Sequence, residues 1–248
     1  MSIPIALQLY TLREEMQKDF SGTLKKVAEI GYKGVEFAGF GGMNAGELKL
    51  LLDNLGLKPA GAHINIDELR NNLDEVIYYN LEIGNKYVVC PYLEFKGKED
   101  FVNMAIEFNK IGTKLKNAGL NLCYHNHAHE FKMFDGVYGL DILYKDTTSN
   151  ILMAEIDTYW VAYAGLDPIE YLNKYKYRTP LIHIKDMDNT EKREFTEIGN
   201  GILPIDKIIN QAKINKAEWI IVEQDKCKID PIESITISYN NLKKINII

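Results

Sequence analysis

One phrase recurs along the chain: an amphipathic stretch ends at a glycine, and a short apolar run follows two or three residues later. Gly31, Gly56, Gly84 and Gly119 occupy this position. Helices commonly end at a residue in the left-handed conformation, which glycine adopts without a steric penalty. The phrase therefore predicts a unit of helix, cap and strand that is used repeatedly.

Eight apolar runs rich in β-forming residues begin roughly 25 to 35 residues apart, which is the size of one βα unit. Runs such as VVC and WIIV are continuously apolar, as is typical of parallel strands covered on both faces. Eight such units in succession predict the α/β class and a closed (β/α)8 TIM barrel, with one domain spanning residues 1–248. The predicted strands are IPIALQLY, YKGVEF, PAGAHI, KYVVCPYL, LNLCYH, NILMAEID, PLIHIKD and EWIIVEQ.

A doubly wound open sheet is the alternative to the barrel. Such a sheet is expected to carry a nucleotide-binding fingerprint after an early strand, and the sequence contains neither G-x-G-x-x-G nor a P-loop motif. The sequence also has no linker rich in proline, glycine or serine that would divide it into domains. The closed barrel is therefore favoured.

Composition excludes several classes of protein. The 248 residues include 29 Lys and Arg against 35 Asp and Glu, a net charge of −6, so nucleic acid is not expected as a partner. No uncharged apolar run reaches the ~18 residues that span a bilayer, and the first ten residues lack a secretory signal, so we expect a cytoplasmic protein with no membrane partner. Three widely spaced cysteines predict reduced thiols rather than a disulfide framework.

Polar residues collect at the ends of the predicted strands. In a TIM barrel the active site is built at the carboxyl ends of the strands, whereas the opposite ends serve stability. All five histidines fall at or just beyond such ends, and carboxylates accompany them. We therefore predict one site at this mouth, formed among Gln8, Glu36, His63, His125, His127, Glu155, Asp157, His183, Lys185, Glu223 and Asp225.

The residue types in this group indicate a metal site. Imidazoles and carboxylates without thiolates suit one divalent ion such as Mn²⁺, Co²⁺, Fe²⁺, Zn²⁺ or Mg²⁺. Taken alone, any one of these residues is better interpreted as a polar group of the barrel mouth that is hydrogen-bonded and has no catalytic role. Asp157, His183 and Glu223 lie on three consecutive strands, and together they favour the metal.

Further residues have a functional and a structural interpretation. Glu36, His63, His127 and Trp160 are candidate substrate-binding residues, although core packing is the commoner fate of a tryptophan. Lys185 could polarise a carbonyl, or it could pair with Asp186 or Glu223. Glu130 is either a catalytic acid, a loop cap or a partner of a metal-binding imidazole. The glycine-containing stretch 197–205 could cradle an anionic group or form an ordinary turn.

These motifs resemble those of the sugar phosphate isomerase/epimerase superfamily, the xylose-isomerase-like TIM barrels. The similarity covers nearly the whole chain and is carried by YHNHAHEF, EIDTYWVAYAGLDP, LIHIKD, GNGILPI and WIIVEQD in this order. The resemblance implies a divalent metal held by Glu, Asp, His and Glu on strands five to eight. The last three correspond to Asp157, His183 and Glu223. The fifth-strand glutamate falls on His125, so this chain either uses that imidazole or reaches the metal from Glu130 or His127.

The resemblance implies a divalent-metal-dependent isomerase or epimerase acting on a small keto-sugar or polyol-derived substrate. Proton transfer would pass through a metal-stabilised enediolate, with Glu223 as the base. Glu130, Lys185, His125 and Glu155 compete for the role of the second acid. A metal-dependent dehydratase resembling inosose dehydratase and a non-catalytic sugar-binding barrel are the alternatives, and an apurinic endonuclease is disfavoured by the acidic charge. The oligomeric state stays open, a homo-oligomer included.

Overall fold

Eight parallel strands close into a barrel in the computed structural model, which describes residues 2–245. Met1 and residues 246–248, which the predicted domain includes, lie outside the described residues. The strands are β1 Ile5–Gln8, β2 Gly34–Phe37, β3 Lys58–His63, β4 Tyr87–Cys90, β5 Asn121–His125, β6 Leu152–Asp157, β7 Leu181–Ile184 and β8 Trp219–Val222.

The barrel closes because β1 pairs with both β2 and β8. Ala6 lies opposite Gly34 on one side and opposite Ile221 on the other. Every other pair joins strands that are consecutive in the chain, as the repeated units predict. The predicted TIM barrel and each of its eight strands are therefore confirmed.

Helices cover the outside of the barrel. The predicted glycine caps are visible at Gly31 and Gly56, which end helices with φ values of 119° and 66°. The helices are α1 Arg13–Lys18, α2 Phe20–Ile30, α3 Ala45–Leu55, α4 Ile66–Asn71, α5 Leu73–Glu82, α6 Lys98–Asn117, α7 Gly139–Lys145, α8 Thr158–Tyr163, α9 Pro168–Lys174, α10 Ile205–Asn215 and α11 Pro231–Lys244.

The connections carry short extra elements. Single turns of 3-10 helix occur at Leu9–Leu12 and His129–Phe131. Two small antiparallel ribbons pair Met133–Phe134 with Val137–Tyr138 and Asp186–Met187 with Phe195–Thr196. Within residues 2–245, no helix combines the length and hydropathy needed to cross a bilayer.

Side chains of each strand alternate between the helices and the barrel interior. Inward-facing residues near the amino ends of the strands are apolar and pack into a floor. Two residues further along the same strands the inward side chains become polar, as at Ala6 and Gln8 or Cys123 and His125. This change from apolar to polar along one face places the polar groups above the floor, at the carboxyl end of the barrel.

Candidate metal and substrate site

Two buried carboxylates lie inside the barrel directly above the apolar floor. Glu36 from β2 and Glu155 from β6 have no exposed surface. His63 Nε2 lies 3.2 Å from Glu36 Oε2 and 2.9 Å from Glu155 Oε2. His183 Nε2 lies 2.6 Å and 3.4 Å from the same two oxygens, and Gln8 Nε2 donates to Glu36 at 2.8 Å. Carboxylates from strands that are not neighbours thus share the same two imidazoles.

A second group of charges lies nearer the mouth, around the ammonium of Lys185. Its Nζ donates to Asp225 Oδ1 at 2.7 Å. The same atom lies 2.8 Å from Glu223 Oε2 and 3.0 Å from Asp157 Oδ2. Lys185 therefore forms the ion pair with Glu223 that the sequence allowed, and two more carboxylates join it. The alternative partner Asp186 is held elsewhere.

Two imidazole rings connect the groups. His125 places Nδ1 3.1 Å from Glu155 Oε2 and Nε2 3.7 Å from Asp157 Oδ2. His183 places Nδ1 2.9 Å from Glu223 Oε2, while its Nε2 faces the deeper carboxylates. Donor atoms of His125, Asp157, His183 and Glu223 all lie within 4.8 Å of one another. We call these four residues the outer set; they are the three ligands predicted from the sequence and His125, one of the three candidates for the fourth.

Backbone contacts orient Asp157. This residue ends β6 and begins α8, and its Oδ1 accepts hydrogen bonds from the backbone N–H groups of Tyr159 at 2.9 Å and Trp160 at 3.1 Å. Its own N–H donates to the Asn126 side chain at 3.1 Å. A helix N-terminus thus fixes one carboxylate oxygen, which leaves Oδ2 to face the other members of the outer set.

The outer set fits a divalent ion. It offers two imidazole nitrogens and two carboxylate oxygens, the mixed donor set that Mn²⁺, Fe²⁺, Co²⁺ and Zn²⁺ accept. Asp157 Oδ2 is buried, and among residues 2–245 it accepts no hydrogen bond of ordinary geometry. Both imidazoles of the outer set also contact a deeper carboxylate through their second nitrogen: His125 contacts Glu155, and His183 contacts Glu36. Metal-binding histidines usually make such a contact.

Burial and neighbouring charges move the pKa values of the histidines apart. Burial, together with the nearby charge of Lys185, lowers the pKa of His127 to about 3, so this ring is neutral. Burial would also lower the pKa of His63, but Glu36 and Glu155 outweigh it and raise that pKa to about 10. Burial likewise lowers the pKa of His125, which therefore keeps a nitrogen lone pair for a metal.

The carboxylates of the outer set also differ. Burial raises the pKa of Asp157 to about 6, against the opposing effect of Lys185. Burial acts in the same direction on Glu223, but Lys185 and His183 outweigh it and hold the pKa of this carboxyl below its usual range. Glu223 is therefore ionised at neutral pH.

A cavity of about 1020 Å³ opens directly above these groups. His63, His127, Lys185 and Glu223 line its inner end, so two of the predicted substrate-binding residues and two of the predicted catalytic residues share one space. Aromatic and charged side chains line its outer part: Tyr10, Arg13, Phe40, Tyr79, Tyr92 and Lys226.

The other two predicted substrate-binding residues lie behind the cavity wall. Glu36 belongs to the deeper group and does not line the cavity. The Trp160 ring packs 5.5 Å from the His127 ring and 5.7 Å from the Phe195 ring, measured between centroids. Lys185 Nζ lies 5.6 Å from the Trp160 centroid. Trp160 therefore supports His127 and Lys185 from the side of α8.

Glu130 lies outside the outer set. The Tyr124 hydroxyl donates to its Oε1 at 2.7 Å, and the His127 backbone N–H donates to its Oε2 at 2.9 Å. It is fully buried in the 3-10 turn after β5 and is absent from the cavity lining. Of the three residues considered for the fifth-strand position, His125 joins the set, His127 lines the cavity and Glu130 anchors the loop that carries His127.

The sequence did not indicate how closely Glu155 approaches the imidazoles or which residues form the outer cavity. Glu155 lies two residues before Asp157, so strand alternation alone places it on the same face and one layer deeper. Tyr10 and Arg13 come from the 3-10 turn after β1 and from α1. They reach the cavity because of the path of this connection, for which the sequence carries no motif.

The glycine-containing stretch 197–205 does cradle an anion, and the anion is the carboxylate of Asp186. Its Oδ2 accepts from the backbone N–H groups of Gly199 at 2.9 Å and Gly201 at 3.1 Å. Its Oδ1 accepts from Leu203 N at 3.1 Å and Met187 N at 2.8 Å. The loop is thus fastened to the end of β7 and is not available to a phosphate.

The architecture and the position of the polar groups define the class of the protein. Residues 24–244 match the family model described as xylose isomerase-like TIM barrel, and the chain belongs to this family. The resemblance inferred from the motifs is therefore confirmed.

Particular relatives carry two kinds of name. Inosose dehydratase of Clostridium beijerinckii (strain ATCC 51743 / NCIMB 8052) is 26% identical over an alignment covering 88% of this chain and 86% of the relative. A sugar phosphate isomerase/epimerase from Parabacteroides distasonis ATCC 8503 superposes with a TM-score of 0.86 at 24% identity, covering 100% of this chain and 96% of the other. The IolI protein, solved with a bound zinc atom, superposes with a TM-score of 0.75 at 15% identity, covering 100% and 98%.

Proposed function

We propose that this protein is a divalent-metal-dependent isomerase or epimerase of a small keto-sugar or a polyol-derived ketone. The observation that carries the proposal is the convergence of His125, Asp157, His183 and Glu223 within 4.8 Å beside a cavity of about 1020 Å³. Membership in the xylose isomerase-like family and the sugar-related names of its relatives support the substrate class.

The outer set would hold the ion through its two imidazole nitrogens and two carboxylate oxygens. A divalent ion in this position supplies Lewis-acid polarisation of a substrate carbonyl, which makes the neighbouring C–H proton more acidic. Glu155 and Glu36 would accept the remaining N–H groups of His125 and His183, and thereby fix the orientation of both rings.

Proton transfer falls to side chains that line the cavity. Glu223 is ionised and reaches the inner end of the cavity, so we assign it the removal of the substrate proton. Lys185 stays charged because three carboxylates raise its pKa against the effect of burial. Its ammonium is therefore suited to stabilising negative charge that develops on a substrate oxygen.

Two further histidines of the cavity wall suit opposite roles. His63, with its pKa raised to about 10, carries a proton at neutral pH, whereas His127, with its pKa lowered to about 3, does not. A pair of groups whose pKa values are pushed apart provides one donor and one acceptor in the same space. Glu130 acts through His127, whose backbone N–H it holds, and we assign it a positioning role.

A dehydratase is the second candidate. The relatives that match most of the chain are named inosose dehydratase, and inosose is a polyol-derived ketone. Removal of the same proton followed by loss of a β-hydroxyl would give dehydration, with His63 as the residue that protonates the departing oxygen. The two candidates share the first step and differ in the fate of the intermediate.

One experiment tests the shared step and separates the candidates. Metal-depleted protein is reloaded with Mn²⁺, Co²⁺ or Zn²⁺ and incubated with inososes and ketohexoses in D₂O, and ¹H NMR follows loss of the proton next to the carbonyl. We expect cation-dependent exchange, with a new epimer or isomer for the first candidate and an unsaturated product absorbing in the ultraviolet for the second. Exchange that persists in Asp157→Asn, or that needs no cation, would overturn the proposed metal site.

A further inference from the structure

The carboxylates deeper in the barrel form a second cluster that the proposed reaction does not require as cation ligands. Glu36, His63 and Glu155 come from β2, β3 and β6, and we call them the inner set. His63 Nε2 lies 3.2 Å from Glu36 Oε2 and 2.9 Å from Glu155 Oε2. The inner set shares no residue with the outer set.

The spacing of these donor atoms fits a coordination sphere. Nitrogen and oxygen ligands bind Zn²⁺ and similar ions at about 2.1 Å, so adjacent ligands of one ion lie about 3 Å apart. The two distances from His63 Nε2, 2.9 Å and 3.2 Å, match this separation. One nitrogen from β3 thus lies at ligand-to-ligand separation from one carboxylate oxygen of β2 and one of β6.

The charges of the barrel mouth also call for more than one cation. Glu36, Glu155, Asp157, Glu223 and Asp225 are five carboxylates, and within residues 2–245 a single ammonium, that of Lys185, contacts any of them. When cations bind the imidazoles in place of protons, the rings are neutral and an excess of four negative charges remains, and an uncompensated buried charge is costly. One divalent ion would compensate half of this excess, and two would compensate all of it.

Lys185 contacts the carboxylates near the mouth but not those of the inner set. Lys185 lies against Asp157, Glu223 and Asp225, whereas Glu36 and Glu155 contact imidazoles, and Glu36 also accepts from the Gln8 amide. Each of these deeper carboxylates keeps its Oε1 buried without a hydrogen-bond donor from residues 2–245. The inner set therefore contains two carboxylate oxygens that are buried without a donor among the described residues.

Both sets can bind a cation at the same time because two imidazole rings lie between them. His125 and His183 each turn one nitrogen toward the outer set and the other toward a deep carboxylate. A ring that binds an outer cation through one nitrogen keeps an N–H on the other, and a carboxylate oxygen can accept this N–H while it also binds a cation. His63 lines the cavity, so ions and water reach the inner set.

We propose that Glu36, His63 and Glu155 form a second divalent-cation site, distinct from the outer set. Its mixed nitrogen and oxygen donors suit Mn²⁺, Fe²⁺, Co²⁺ or Zn²⁺. Three protein ligands leave coordination positions for water or for a second oxygen of the substrate, which would enter past His63. This site goes beyond the proposed reaction, which needs one ion only.

The test counts bound ions and does not depend on turnover. Metal-depleted full-length protein is dialysed to equilibrium against Mn²⁺, Co²⁺ or Zn²⁺, and bound metal per chain is measured by plasma mass spectrometry. We expect two ions per chain in the wild type, one in His63→Gln and one in Asp157→Asn. His129→Gln is the matched control, because His129 binds the Leu93 carbonyl and belongs to neither set; it should retain two ions.

A wild-type content of one ion, or two ions retained in folded His63→Gln, would overturn the second site. His63 lies at the edge of the cavity with 11% of its side chain exposed, so its replacement disturbs packing little. Glu155→Gln provides an independent removal of an inner ligand, and circular dichroism verifies folding of each variant. Loss of turnover with two ions still bound would contradict the proposed reaction and leave this site in place.

Discussion

Glu155 Oε2 lies 3.1 Å from His125 Nδ1, inside a barrel where neither residue has more than 2% of its surface exposed. The two residues face each other in register across β5 and β6. The contact turns the opposite nitrogen of His125 toward Asp157. An imidazole thus occupies the fifth-strand position where the family resemblance implies a glutamate, and a glutamate from the next strand orients it.

Replacing Glu223 by Gln should lower kcat by about 10³-fold while the fold is retained, because the amide cannot accept the substrate proton. The comparison variant is Glu218→Gln, at the opposite end of the same strand, where the side chain is exposed and pairs with Lys86. Kinetics and circular dichroism of both variants check the prediction. Near-normal turnover in Glu223→Gln would remove this residue from the mechanism.

Replacing Lys185 by Met should destabilise metal-depleted protein by about 3 to 5 kcal/mol, because three carboxylates lose their shared ammonium. Added Mn²⁺ should recover part of this loss, since a divalent ion supplies the missing positive charge. Urea unfolding with and without Mn²⁺ measures both effects. Lys192→Met, in an exposed loop, should change neither value, and a Lys185 variant as stable as the wild type would contradict the prediction.

The stability of metal-depleted protein should fall as the pH rises from 7 to 9. The pKa of His63 is raised to about 10 in the folded protein and lies near 6.5 in an unfolded chain, so its contribution is complete below pH 6.5 and is lost toward pH 10. The contribution of His63 to the slope should reach at most about 1.4 kcal/mol per pH unit, and His183, whose pKa Glu155 and Glu36 raise against the effect of burial, acts in the same direction. Urea midpoints across this range should show a flatter profile for His63→Gln, and parallel profiles would refute the assignment.

Replacing Asp186 by Ala should lower the free energy of unfolding by about 3 kcal/mol, because four backbone N–H groups lose a charged acceptor. The effect should fall on stability rather than on metal content, since Asp186 contacts neither set. Thermal unfolding and metal analysis test the two statements. Glu191→Ala, in the exposed part of the same connection, serves as the control and should unfold like the wild type.

The barrel could be predicted from the sequence because its signals are local. A helix that ends at Gly31 or Gly56 and a following apolar strand are each specified within about 15 residues. Strand alternation then assigns Asp157, His183 and Glu223 to the inner face. Repetition of the unit fixes the closed sheet, so these residues fall on neighbouring strands at one mouth.

Tertiary structure decided which of these groups meet and what each one does. Glu36 and Glu155 share a partner in His63 because β6 lies across the barrel from the neighbouring strands β2 and β3, a relation that depends on strand tilt and side-chain length. Glu130 carries a carboxylate that could bind a metal, but a 3-10 turn directs this side chain toward Tyr124. The sequence by itself determined the fold and the inventory of charged groups, since both follow from short-range patterns. Their distances and pKa values arise from contacts between segments far apart in the chain, which only the closed barrel brings together.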